Sequence, residues 1–482
     1  MNGERTIIFL IIIILLGGIL RFTKLDYQSL WNDELSSVSL ADKSSLREVI
    51  EVSKSDVHPP LYSCLLYLWQ NAFGNSPFSL RFLSALFGIL SIVALFFLGK
   101  ILYSEQEALI SALILSFSYF GIYYSQEVRS YSLLLLLSIC SYLFFMKIHP
   151  HFTAYKSGIN LIFSYIFYVL FTTSLIYTHY FGILVLFSQF IFILLSSFLR
   201  RKESGYFKML LSQFVIFLLY LPQISIIKAK MHIAETWIKK PHFYFFIQYF
   251  NEYWGRGEAL FLLAALCIFC FFYFWNKERK NNSEPDLSRF LLVVVWVIAP
   301  LLVAYVRSIF STPILTDRNT IIILPPLILM MAKGITSIKN RDIIIMVIVA
   351  VSIAGFYSLF ITNEYYDRVI KEQFREVANV VLENKEVSDQ SLIIACAWNP
   401  NYFDYFLRQA YSPLRVSGIY ENKEDIPNLE GLIRGSEKKF LWYLIGHKHP
   451  SQEIMQYLNS NYRLLGTRQF KESSFFLFAL EK

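Results

Sequence analysis

Charge is what this sequence has least of. Only 17% of its 482 residues are Asp, Glu, Lys or Arg, against about 25% in soluble domains, and the shortfall excludes an ordinary water-soluble fold. Cysteine is scarce too. The five present are scattered, which excludes a disulfide framework. Cys267 and Cys270 have C-x-x-C spacing but lie inside the apolar run 260–275, where a thiolate finds no polar support, so neither a redox nor a zinc role is expected of them. No small-residue cleavage site of the A-x-A type follows the first apolar run, which is therefore expected to stay in place as a signal anchor. The net charge of +8 does not imply nucleic acid as a partner. In so apolar a chain it is the basic excess of cytoplasmic loops.

What is abundant is hydrophobic and aromatic. Apolar residues make up 55% of the chain and aromatics 17%, with a mean hydropathy of +0.45, as expected of a multi-pass protein of the cell (plasma or inner) membrane. Taking about 20 residues per span, about eleven apolar runs are long enough to cross a bilayer. They lie near 6–21, 78–99, 106–123, 131–147, 159–178, 180–199, 208–222, 258–276, 289–306, 318–334 and 342–361. Basic residues cluster between the sixth and seventh runs (Arg200, Arg201, Lys202, Lys208), the eighth and ninth (Lys277, Arg279, Lys280, Arg289) and the tenth and eleventh (Lys333, Lys339, Arg341). By the positive-inside rule these loops are cytoplasmic. Counting back puts the N-terminus inside. The loops 22–77 and 223–257, Glu127, His179, Arg318 and everything after residue 362 then lie outside.

Leu61–Phe73 and Pro241–Trp254 are amphipathic or interrupted and read as helices in the interface plane, since one more span would reverse the downstream charge pattern. After Asn363 charged residues become frequent. Arg368–Asn384 and Ser451–Asn461 read as helices, and Ser391–Ala397, Lys439–Ile445 and Ser474–Ala479 as strands. The expected fold class is thus mainly α: a polytopic membrane helix bundle over 1–362, N-in and C-out, followed by a small extracytoplasmic α/β domain over 363–482. Asp389 and Asp404 in that domain are expected to be caps or surface charges.

The polar residues of interest share the outer face. In Ser29-Leu-Trp-Asn-Asp-Glu34 two adjacent carboxylates, Asp33 and Glu34, follow the first run. Either they serve as a general base, which an attacking hydroxyl requires, or they sit in a solvated turn or helix cap. Asp56-Val-His58-Pro-Pro60 offers an acid and an imidazole two apart. They suit a divalent ion or a phosphate, or else Asp56 caps a helix that begins at the prolines. Two ligands alone do not make a metal site. Ser125-Gln-Glu-Val-Arg-Ser-Tyr131 carries Glu127 and Arg129 at a membrane edge, and Arg81 and Arg318 also stand at outer span ends. Guanidinium groups give forked recognition of phosphate. The competing readings are a surface ion pair and snorkelling to headgroups. Tyr177-Thr-His-Tyr180 brings His179 to the same face, as a ligand or a hydrogen-bonded structural group.

In order and spacing, SLWNDE at 29–34, DVHPPLY at 56–62, FGNSPFSLRFLSALFG at 73–88, SQEVRSY at 125–131, YTHYFG at 177–182 and DRNTIIILPP at 317–326 resemble the GT-C glycosyltransferase superfamily. The closest likeness is to the protein O-mannosyltransferase-like and aminoarabinose-transferase-like enzymes (glycosyltransferase family thirty-nine and its kin). The resemblance implies inverting transfer of one sugar from a polyprenyl-phosphate donor to a protein, lipid or polysaccharide acceptor of the cell envelope at the outer face of the membrane. By position Asp33 matches the catalytic acid, with Glu34 as its pair. Asp56 matches a second acidic position, and Arg81, Arg129 and Arg318 match basic positions near the carrier phosphate, with His58, Glu127, Tyr131 and His179 as further candidates for binding the substrate or its phosphate. Some relatives have Glu-Lys-Pro where this chain has Asp-Val-His-Pro. Metal dependence is left open there, with Asp56, His58, His232 and His242 as the candidate ligands of a divalent ion. Rival readings are an oligosaccharide ligase of similar architecture, a lipid or sugar transporter, and an inactive scaffold binding wall glycans. A transporter places its site near the midplane, often within repeats, whereas here no repeat is evident and the notable charges sit at span ends.

Overall fold

The computed structural model describes residues 3–152, 159–199, 205–230, 238–280, 287–397, 399–410, 413–418, 425–447, 449 and 451–480. The chain divides into two compact units. The first comprises 1–23, 40–72 and 81–366; the second comprises 24–39, 73–80 and 367–482.

The first unit is a helix bundle. Among the described residues ten helices are long and apolar enough to cross a membrane: Gly3–Phe22, Pro77–Leu102, Tyr131–Ile148, Ile159–Thr178, Gly182–Leu199, Gly205–Ile227, Glu258–Arg279, Leu287–Phe310, Arg318–Thr336 and Arg341–Thr362. The helices Glu105–Phe117 and Tyr119–Ser125 form a pair bent by 59°, apolar and long enough together to make a broken span or a re-entrant loop. Ten of the eleven apolar runs expected from the sequence thus become helices of spanning length, and the run near 106–123 becomes the bent pair. The chain is a multi-pass membrane protein, because backbone polar groups in lipid must be satisfied within such helices. The amphipathic stretches also form helices, Leu61–Phe73 and, shorter than expected, Phe245–Tyr253. The Tyr131–Ile148 and Arg318–Thr336 segments form the interior of the bundle, 89% and 83% buried. Small residues let neighbours close in. A Cβ on Gly334 would fall 1.9 Å from the Cys267 carbonyl oxygen, so the first cysteine of the C-x-x-C pair marks a close helix crossing.

The bend has a cation behind it. Ending the Glu105–Phe117 helix frees its last carbonyls, and two of them, on Leu115 and Ser116, accept from the Arg21 guanidinium at 3.0 and 2.9 Å. The same group reaches Gly17 O (3.1 Å) and Ser125 Oγ (3.3 Å), and Arg21 is fully buried. Ser118 caps the helix beyond the bend by accepting from the Gly121 amide. Arg21→Met strands these acceptors out of water. It is expected to cost about 3 kcal/mol or more, because each buried unmade bond costs roughly 1–3 kcal/mol. Thermal unfolding of the purified variant in detergent tests this, and an unchanged midpoint contradicts it.

In the second unit a five-stranded sheet has the order β2-β1-β3-β5-β4. Its strands are β1 (Ser391–Cys396), β2 (Ser417–Gly418), β3 (Phe440–Gly446), β4 (Arg463–Phe470) and β5 (Ser473–Ala479). β1 runs parallel to β2 and β3, with Ile394 opposite Tyr443; β5 lies antiparallel to β3 and β4, with Tyr443 opposite Phe476. Its core gathers Ile394, Leu441, Tyr443, Ile445 and Phe478 with Leu429, Ile433, Ile454 and Leu458 from two helices. The helix expected from Arg368 begins only at Phe374. Gln28 takes the backbone amides of Ile370 and Lys371, and Ser29 takes that of Arg375, which holds the chain before Phe374 out of the helix.

Candidate functional site

In the first unit two histidines, two arginines and a tyrosine come together from four separate sequence motifs. The Arg129 Nη2 donates to His58 Nε2 at 3.0 Å. Arginine has no acceptor, so His58 Nε2 is the acceptor of this bond. Asp56 accepts the His58 backbone amide at 3.2 Å, as a residue leading into the prolines of the Leu61–Phe73 helix does readily. The rings of His58 and His179 lie 4.7 Å apart, and Tyr131 is 6.4 and 5.9 Å from them. The guanidinium groups of Arg129 and Arg318 stand 5.9 and 5.8 Å from the Tyr131 ring centre, within cation–π range. Tyr131 and Arg318 each begin one of the two innermost spanning segments, so the cluster forms where those segments start.

His179 accepts the Phe181 amide at Nδ1, 3.1 Å away. Burial, then Arg129 and Arg318, bring its pKa down to about 3. The group is therefore neutral when folded at any physiological pH. Protonation favours the unfolded chain, so stability present above the ordinary imidazole pKa is lost as pH falls from about 6.5 toward 3, by at most roughly 1.4 kcal/mol per pH unit. Denaturation of wild type and His179→Gln between pH 7 and 4 checks this. The variant is expected to lack that part of the slope, and equal slopes contradict it.

Arg81 and Glu127, both buried, meet a second group. Each interacts electrostatically with Tyr365, whose hydroxyl burial holds well above its usual pKa. Tyr365 packs on Tyr123, Tyr123 on Tyr124, and Tyr124 on Tyr131 at ring separations of 6.1, 5.0 and 5.0 Å, which joins the two groups by a run of rings. Two guanidinium groups near one tyrosine ring, beside two imidazoles, have the chemistry that suits an anionic oxygen group such as a phosphate.

In the second unit Asp33 and Glu34 open the Asn32–Ala41 helix, where carboxylates complement the helix dipole. Successive helical residues diverge, and the pair separates accordingly. Glu34 is fully buried, takes the Trp31 amide at 3.3 Å and pairs with Lys371 Nζ at 3.3 Å. Asp33 is half-buried, and its backbone carbonyl accepts the Ser37 hydroxyl. The Asn32 amide donates to Glu372 at 2.8 Å, and the other Glu372 oxygen bonds His447 Nδ1. Burial raises the Glu372 carboxyl above its ordinary range, against the pull of His447 and the Asn32 amide.

The metal candidates scatter. His58 gives Nε2 to Arg129, so a cation already holds that ring nitrogen. His242 is exposed, and His232 lies outside the described residues. Sequence reasoning missed Arg21, Lys371, Glu372 and His447. Arg21 reads as a snorkelling end of the first run, and nothing near Lys371 marks it as the partner of a residue more than 300 positions earlier.

Residues 57–226 match the family described as dolichyl-phosphate-mannose-protein mannosyltransferase. Among solved structures the chain is similar to ArnT from Cupriavidus metallidurans in the apo state (TM-score 0.65, 11% identity, 99% of this chain and 98% of that one). It is similar to the same protein bound to undecaprenyl phosphate (0.60, 12%, 100% and 98%). It is also similar to the archaeal oligosaccharyltransferase AglB from Archaeoglobus fulgidus in complex with an inhibitory peptide and a dolichol-phosphate (0.57, 10%, 91% and 69%). No curated protein sequence matches. The chain thus shares its fold with ArnT and AglB.

Proposed function

We propose that the protein is an inverting glycosyltransferase of the plasma or inner membrane, moving one sugar from a polyprenyl-phosphate donor to an acceptor of the cell envelope at the outer face. Asp33 takes the proton of the acceptor hydroxyl or amine as that group attacks the anomeric carbon. The bond to the donor phosphate breaks on the opposite side. Arg129 and Arg318 steady the negative charge gathering on the leaving phosphate, where fixed cations in a water-poor site act strongly. Arg81 and Glu127 bear on Tyr365 behind them. Glu34 fixes the first turn of its helix through Lys371 and leaves the base role to its neighbour. Prenyl chains need the apolar surface that the spanning helices supply.

The observation that carries this reading is the arginine pair of Arg129 and Arg318 around Tyr131, drawn from two motifs of a chain with a GT-C fold. The likeness to ArnT bound to undecaprenyl phosphate supports a lipid-phosphate donor. The likeness to AglB favours a second reading, a ligase that moves a preassembled glycan. Incubating the reconstituted protein with lipid-linked monosaccharide and lipid-linked oligosaccharide pools separates the two. Consumption of the monosaccharide donor is expected, and consumption of the oligosaccharide alone overturns the reading.

A further inference from the structure

The second unit brings together three metal-ligating side chains that no motif announces. The ligand atoms of Glu372, His447 and Glu472 all lie within 4.8 Å of one another. Glu372 is 3% exposed, while His447 and Glu472 open to solvent. We propose that these three residues form a site for a divalent transition-metal ion of zinc type, and that the bound ion anchors the first turn of the helix carrying Asp33.

Each ligand's backbone is held in place by a segment that carries another. Gln373, next to Glu372, exchanges two hydrogen bonds with Lys471, its amide giving to the Lys471 carbonyl (3.1 Å) and its side-chain oxygen accepting the Lys471 amide (3.0 Å). The His447 amide gives to the Glu472 carbonyl at 2.9 Å. His447 and Glu472 directly follow and precede the paired ends Gly446 and Ser473 of β3 and β5, so the sheet sets their separation. Both adopt left-handed backbone, φ 61° and 50°, a conformation costly for non-glycine residues. One imidazole with two carboxylates is a donor set suited to zinc. Ligands bonded at about 2.0–2.1 Å in a tetrahedron stand about 3.3 Å apart, within small side-chain movements of this geometry.

Binding the ion takes the place of the His447–Glu372 hydrogen bond, and the proton of that bond leaves to solvent. It also displaces the exposed Lys471–Glu472 pair at 3.6 Å, worth little on a surface. The outer face of the ion stays open to water. The Glu372 oxygen that takes the Asn32 amide at 2.8 Å keeps that bond, so the ion reaches the helix start through one carboxylate, as outer partners commonly orient a metal ligand. The anchoring role rests on the assignment of Asp33 as the base; the metal site does not.

The test uses the full chain in detergent, stripped with chelator and titrated with zinc while no donor is present. One zinc per chain is expected, bound at least tenfold more weakly by His447→Gln and by Glu472→Gln. Zinc is expected to slow deuterium exchange of the peptide holding Asn32. Wild type that takes up no zinc, variants that bind it as wild type does, or zinc binding without protection at Asn32 each overturn the proposal. The first of these needs no variant, so a folding failure in a variant does not shield it. None of these readouts involves transfer, so their failure leaves the transferase reading standing.

Discussion

Asp33→Asn is expected to lower sugar transfer by about 10²–10⁴-fold, the usual yield of a positioned general base. Asparagine keeps the shape of the side chain and its place in the first turn of Asn32–Ala41, so the loss falls on the rate of transfer and spares the fold and donor binding. Glu34→Gln behaves differently. It removes the carboxylate that faces the buried Lys371 ammonium at 3.3 Å, and breaking a buried pair costs roughly 3–5 kcal/mol. That variant is expected to lose stability before it loses chemistry. Initial rates and thermal midpoints of the two variants, measured side by side, check both. An Asp33→Asn protein that transfers at the wild-type rate rules out the base.

Arg129→Met is expected to reduce kcat/KM by roughly 10²–10³-fold, comparable to removing a donor aimed at developing charge. The guanidinium holds His58 at 3.0 Å and stands over Tyr131, so its removal takes away both the charge and the brace. Arg129→Lys restores the charge without the fork and is expected to recover only part of the activity. Rates at saturating donor locate the effect. If the methionine variant loses affinity alone and keeps its turnover, the arginine holds the ground-state phosphate and does not steady the leaving group.

The membrane part of this fold was legible because a span needs little more than length and hydropathy. Ten of the eleven runs form helices of spanning length among the described residues, and the run near 106–123 forms a bent pair. The bend at Ser118 was not legible, since the apolar run passes through it unbroken and the cause, Arg21, lies some 95 residues earlier. In the second unit the buried strands β1, β3 and β5 announced themselves as compact apolar runs. β4 did not, because Arg463–Phe470 is a largely exposed edge with charged and glycine positions. The motifs holding His58, Arg129, Tyr131, His179 and Arg318 could be picked out singly, and their meeting could not. Adjacency in sequence also misleads, as it does for Asp33 and Glu34: one turn of helix sends one carboxylate to a lysine and leaves the other half-exposed.

The most direct measurement is the release of free polyprenyl phosphate from lipid-linked sugars extracted from native membranes, by purified protein in liposomes. The account predicts that it accumulates with wild type, one phosphate for each sugar gained by an acceptor, and that Asp33→Asn releases almost none. Sugar lipid crossing the bilayer with its donor bond intact, or release undiminished by Asp33→Asn, contradicts it.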